Sequence, residues 1–96
     1  MQKSIIRTYS AGVFFGEVTK QENTPAGVIV TIRNCRRLWY WNGAASLSEL
    51  SQSGVKRSGS KFSVTVPEMV VAGAIEIIPC TDEAVESINA VPVWKA

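Results

Sequence analysis

Apolar residues fall along this chain in short, β-branched-rich runs separated by polar or glycine-containing segments. Ile5 to Thr8 and Val13 to Thr19 predict two strands, and the inner Gly16 marks a bulge or a close backbone approach. Residues 20–27 are polar, with Pro25 and Gly27, and predict a hairpin loop. Val28 to Ile32 is almost wholly β-branched and predicts a sheet strand. Asn34 turns or bulges the chain before a further strand over 35–41. Phe62, Val64 and Val66 alternate with Lys61, Ser63 and Thr65, predicting a half-buried strand that Pro67 ends. Gly73 divides the apolar stretch Met69 to Pro79 into an approach and a strand over Ala74 to Ile78. Pro92 limits residues 91–94 to an edge strand or extended arm.

Two segments carry helical punctuation. Ser46 followed by Glu49 is a capping box, and Leu47 and Leu50 share one face. Gly54 closes this helix as a left-handed C′ residue, with Val55 placed to touch Leu50. Two turns are too few for stability alone, so the helix must pack on the sheet. Thr81 is the N-cap of a second helix, with Asp82 and Glu83 in its first turn. Ala84, Val85 and Ile88 form its apolar face, and Asn89 stops it. The order is β-β-β-β-α-β-β-α-β. It predicts an α+β fold, a mostly antiparallel β-sheet or small β-barrel with two short helices. A doubly wound α/β fold is disfavoured, because its crossovers need about a dozen residues each.

With 96 residues, the chain predicts a single domain over 1–96 with a modest core. Its low charged share, 19% against 46% hydrophobic, favours a homo-oligomer. No apolar run approaches the roughly 20 residues of a membrane span. The start Met1-Gln2-Lys3-Ser4-Ile5-Ile6-Arg7 does not read as a signal peptide, so a cytoplasmic location and no membrane partner are expected. Cys35 and Cys80 adjoin apolar segments and read as buried free thiols.

Charge is unevenly distributed. Residues 33–61 carry six cations and one acid, and residues 62–96 carry one cation and five acids. The basic third also holds the aromatic run Arg36-Arg37-Leu38-Trp39-Tyr40-Trp41. Strict alternation puts Arg37, Trp39 and Trp41 on one strand face and Arg36, Leu38 and Tyr40 on the other. An indole can stack on a base and arginine can fork onto a phosphate. Lys56, Arg57 and Lys61 flank Ser58-Gly59-Ser60, a loop whose backbone donors can cradle an anion. Tyr9 and Trp94 are further aromatics near the ends. The competing reading of the aromatic strand is core and subunit interface, where tryptophan, tyrosine and arginine are also enriched.

The absence of histidine removes the commonest general base and metal ligand. No nucleotide-binding glycine pattern or EF-hand is present. No enzyme activity, no cofactor and no metal site are expected. The candidate ligand-binding residues are Arg36, Arg37, Trp39, Trp41, Arg57 and Lys61.

The stretch from Arg36 to Leu50 resembles a family of small uncharacterised proteins from tailed bacteriophages and prophages. So do the opening Ile6 to Gly16, the segment Glu76 to Thr81 and the close Val91 to Ala96. The resemblance implies an accessory protein acting in the cytoplasm of the bacterial host. It transfers no functional residues. The first expected function is binding or sequestering a nucleotide-like or other anionic small ligand, in a setting where that would block a host defence signal. A protein-interaction or minor virion-assembly module, with a host or phage protein as partner, is the first alternative. A nucleic-acid-binding accessory protein is the second.

Overall fold

The computed structural model describes residues 2–95; Met1 and Ala96, the ends of the expected domain, lie outside the described residues. Six strands and two helices follow in the order β1 (Ser4–Thr8), β2 (Val13–Thr24), β3 (Gly27–Tyr40), α1 (Leu47–Ser53), β4 (Lys61–Phe62), β5 (Val66–Ala72), β6 (Ala74–Pro79) and α2 (Asp82–Asn89). All strand pairings in the sheet are antiparallel. The order across it is β4-β3-β2-β1-β6, and β5 pairs with the first half of β3. This is an α+β fold with a large antiparallel sheet and two short helices, and the sheet is not closed into a barrel.

The long β3 joins two segments that the pattern separates. Asn34 adopts φ +50° in its middle, and the register with β2 shifts between Phe15 and Glu17. The chain therefore bulges at Asn34 and continues as one strand. Gly16 fills the opposite position. A Cβ there would meet Ile32 Cγ2 at 2.6 Å and the Arg33 carbonyl oxygen at 2.8 Å, so glycine permits the close approach of β2 to β3.

Three further expectations change. The polar residues Lys20 to Thr24 belong to β2 and pair with Gly27 to Thr31, leaving only Pro25 and Ala26 to turn the hairpin. Lys20 to Asn23 are all exposed and Thr24 is half-buried, so both faces of this end of the ribbon meet solvent and polar residues suit it. The alternating Phe62–Val66 segment is broken: Lys61 and Phe62 form β4, Ser63 to Thr65 are not strand, Val64 is exposed, and Val66 opens β5. Ser63 is the cause: its hydroxyl accepts from Arg37 N (2.7 Å) and donates to the Val64 carbonyl (2.9 Å), replacing a regular ladder. Pro67 lies inside β5 instead of ending a strand. It falls between the Arg33–Glu68 and Cys35–Val66 pairs on an outer strand, where its missing N–H costs no sheet bond.

The chain turns from β5 to β6 at Gly73 (φ +80°), so β5 pairs β3 while β6 pairs β1. The central strands are consequently buried on both faces. Ile5 and Phe15 point into one core with Leu38, Phe62, Leu50 of α1, and Ala84 and Ile88 of α2. Their neighbours Ile6 and Phe14 point into a second core with Val30, Ile32, Cys35 and Val71.

The helix caps form largely as the spacing predicts. The Ser46 hydroxyl accepts from Glu49 N at 3.2 Å, while the Glu49 carboxylate reaches one residue further back, accepting from Ala45 N at 2.6 Å. Gly54 has φ +82° and ψ −152°, an extended glycine conformation in place of the expected left-handed one. Thr81 caps α2 by accepting from Ala84 N (3.1 Å). No helix among the described residues is long and apolar enough to cross a membrane.

Candidate functional site

The aromatic strand distributes its side chains differently from simple alternation. Arg36 is buried, with 4% of its surface exposed. Its Nε donates to the Ser63 carbonyl (2.8 Å) and its Nη1 to the Ile88 carbonyl (2.9 Å), with the guanidinium carbon 5.3 Å from the centre of the Phe62 ring. Burial lowers its pKa from the usual arginine value. Arg36 therefore ties β3 to the end of α2 and is withdrawn from any external ligand.

Trp41 leaves the expected face. β3 ends at Tyr40, and its pairing with β4 shifts register between Leu38 and Tyr40. Trp41 then packs against the helical core beside Leu47 and Val55. Arg57 lies on the exposed 56–60 loop. That loop is strapped to the turn after β3: Lys56 N donates to the Asn42 carbonyl (2.8 Å), Asn42 Nδ2 to the Ser58 carbonyl (2.8 Å), and Asn42 N to the Ser60 hydroxyl (3.0 Å). The Ser60 hydroxyl is thus committed internally.

Arg37, Trp39 and Lys61 remain available, and Trp94 joins them. Trp39 and Trp94 meet edge to face with centroids 5.8 Å apart, and Lys61 Nζ lies 5.1 Å from the centre of the Trp94 ring. Trp39 is 52% exposed and Trp94 44%. The C-terminal arm brings Trp94 there: Val93 bridges Phe62 in parallel and Trp94 N donates to the Phe62 carbonyl (3.0 Å). Arg37 shares the Trp39 side of β3 and covers the Phe14 ring at 5.0 Å. Its Nε is buried without a hydrogen-bond partner. Among the described residues no acid pairs with Arg37 or Lys61, and the ion pairs are Arg7–Glu76 and Lys20–Glu22.

Two cavities, of about 260 Å³ beside Lys3 and Cys80 and about 450 Å³ beside Tyr9 and Gly73, are lined by other residues. Cys35 and Cys80 are buried free thiols, each pushed up to about 11 by burial; Arg37 only partly offsets this at Cys35. Neither is poised as a nucleophile. No cluster of three acid or cysteine side chains suited to a metal ion forms among the described residues.

The family model described as Domain of unknown function (DUF6948) matches residues 1–88. The chain belongs to that family. No curated protein and no solved structure matches it. Arg37, Trp39 and Lys61 lie within the DUF6948 match, whereas Trp94 lies beyond it on the arm. The sequence pointed to Trp94 only as an aromatic near the end. Nothing in residue spacing pairs it with Trp39, 55 positions away.

Proposed function

We propose that this DUF6948 protein is a non-enzymatic interaction module that self-associates through the edge formed by Arg37, Trp39, Lys61 and Trp94. The observation that carries this reading is the exposed Trp39–Trp94 pair with an unpaired lysine against it. Exposed tryptophans and arginines are enriched among interface anchors. The same chain offers a complementary surface, because Asp82, Glu83 and Glu86 of α2 have no cationic partner among the described residues. The bacterial and phage setting of this module rests on the residue resemblance alone.

Native mass spectrometry tests it. The wild-type protein is expected to be an oligomer that Trp39→Ala and Lys61→Glu convert to folded monomers. A monomeric wild type, or an oligomer indifferent to both changes, would overturn the reading.

A second reading is sequestration of a nucleotide-like anion at the same edge. Arg37 and Lys61 favour it, since neither has an acid partner among the described residues and both lie beside the exposed indole pair. A retained mass of a few hundred daltons, lost in Arg37→Ala, would select it over self-association.

A further inference from the structure

The β2–β3 hairpin tip, the β1–β2 turn and the Gly73 bend meet at a corner remote in sequence from the aromatic strand. They border an open depression of about 450 Å³ lined by Tyr9, Ala26, Gly27, Val28, Gly73 and Ile75 among others. That volume is within the range of small-molecule sites, roughly 300–1,000 Å³. No charged residue lines it.

The floor is open because side chains are missing from it. A Cβ on Gly27 would lie 3.8 Å from Gly73 Cα, and one on Gly73 would lie 3.8 Å from Tyr9 Cβ. Two backbone donors here are already engaged, although Ser10 also lines the depression. Gly73 N donates to the Val28 carbonyl and Tyr9 N to the Gly73 carbonyl, each at 2.9 Å. These committed donors leave little to attract an anion, so binding must come from burial of apolar surface.

The rim carries the apolar surface to be buried. Tyr9 is 85% exposed and Ile75 is 54% exposed. Ile75 stands out because β6 shifts register against β1 between Arg7 and Thr8, which leaves it without a β1 partner. Tyr9 is nevertheless held in place at its backbone. The Thr8 hydroxyl fastens the turn that follows, donating to the Gly12 carbonyl (2.7 Å) and accepting from Ala11 N (2.9 Å). A fixed backbone with a free ring makes Tyr9 a side wall that can lie against a flat ligand.

We infer that this corner is a binding site for a small, uncharged, planar aromatic molecule, seated on the Gly27–Gly73 floor and flanked by Tyr9 and Ile75. A ring fits where aliphatic bulk does not: its flat face can approach glycine backbone closely, and the Tyr9 ring offers an offset or edge-on aromatic contact. The site is independent of the Trp39 edge in position and in ligand charge.

Titration of the ¹⁵N-labelled protein with indole, followed by amide NMR shifts, tests the inference. Saturable shifts are expected at Ala26, Gly27, Gly73 and Ile75, with a Kd below about 1 mM. Tyr9→Ser is expected to weaken binding about tenfold. Ala26→Leu, a change on an exposed turn, is expected to fill the depression and abolish the shifts while the rest of the spectrum stays native. Indole-3-acetate, which has the same ring with a negative charge, is expected to bind no tighter than indole. Non-saturating shifts, shifts that survive Ala26→Leu, or shifts centred on Trp39 and Lys61 would overturn it.

Discussion

Nη1 of Arg36 donates to the carbonyl oxygen of Ile88 at 2.9 Å, joining the middle of β3 to the last turn of α2. An arginine at this point suits the helix C-terminus, whose final carbonyls lack intrahelical donors. Arg36→Ala would remove the side-chain donor from the Ser63 carbonyl and from the Ile88 carbonyl, leaving Ile88 with the Val91 N–H at 3.2 Å. The expected loss is roughly 3 kcal/mol of stability. Arg36→Lys is expected to recover only part of it, because one ammonium cannot span both acceptors. Denaturant unfolding of the three proteins checks this.

The helices are fastened to each other at Ser87. Its hydroxyl accepts from Val55 N (2.7 Å) and donates to the Val55 carbonyl (2.6 Å), just after Gly54. A Cβ on Gly54 would overlap the Ser87 side chain, and its φ of +82° disfavours any other residue. Gly54→Ala is therefore expected to cost roughly 2 kcal/mol or more. A fall in thermal midpoint larger than that of Ser87→Ala would show that backbone strain adds to the lost hydrogen bonds.

Trp39 and Trp41 should separate in mutagenesis. Trp41 packs on the helical core, and Trp41→Ala is expected to cost about 3 kcal/mol. Trp39 is half exposed against Trp94, and Trp39→Ala is expected to cost about 1 kcal/mol. Equal losses from the two changes would contradict the placement of Trp39 at the surface.

The buried thiols give the fold an alkaline limit. Cys35 and Cys80 are pushed from an ordinary value of 9.0 up to about 11 by burial. Between those values the unfolded chain loses thiol protons that the folded chain keeps. Stability is thus unaffected by these groups below about pH 9 and falls as pH rises toward 11. Replacing both cysteines by alanine is expected to flatten this part of the profile of thermal midpoint against pH, beyond any uniform drop from lost packing.

Much of the architecture is legible in local chemistry. The caps at Ser46 and Thr81 form because a hydroxyl reaches helix donors only two or three residues away. The Gly16 close approach and the Asn34 bulge follow from what those residue types tolerate. The Phe62–Val66 alternation misleads because period-2 apolarity reports a half-buried surface, and Ser63 redirects the backbone by bonding to Arg37. The 20–27 segment misleads for the opposite reason: polar residues suit the end of a strand whose faces both meet solvent.

The roles within the Arg36–Trp41 run depended on partners distant in the chain. Arg36 and Arg37 are adjacent and chemically identical, yet one meets carbonyl oxygens at Ser63 and Ile88 while the other covers Phe14 beside a surface edge. Trp39 acquires its aromatic neighbour from the arm that follows α2 in the chain and bridges β4. Spacing along a strand specifies which side chains alternate. It carries no information about which face receives the helices, because that choice is made by apolar burial summed over the whole fold. Residue types and short-range patterns thus determined the elements, their caps and the α+β class. Long-range packing alone decided which of two arginines was buried and which of two tryptophans was left exposed.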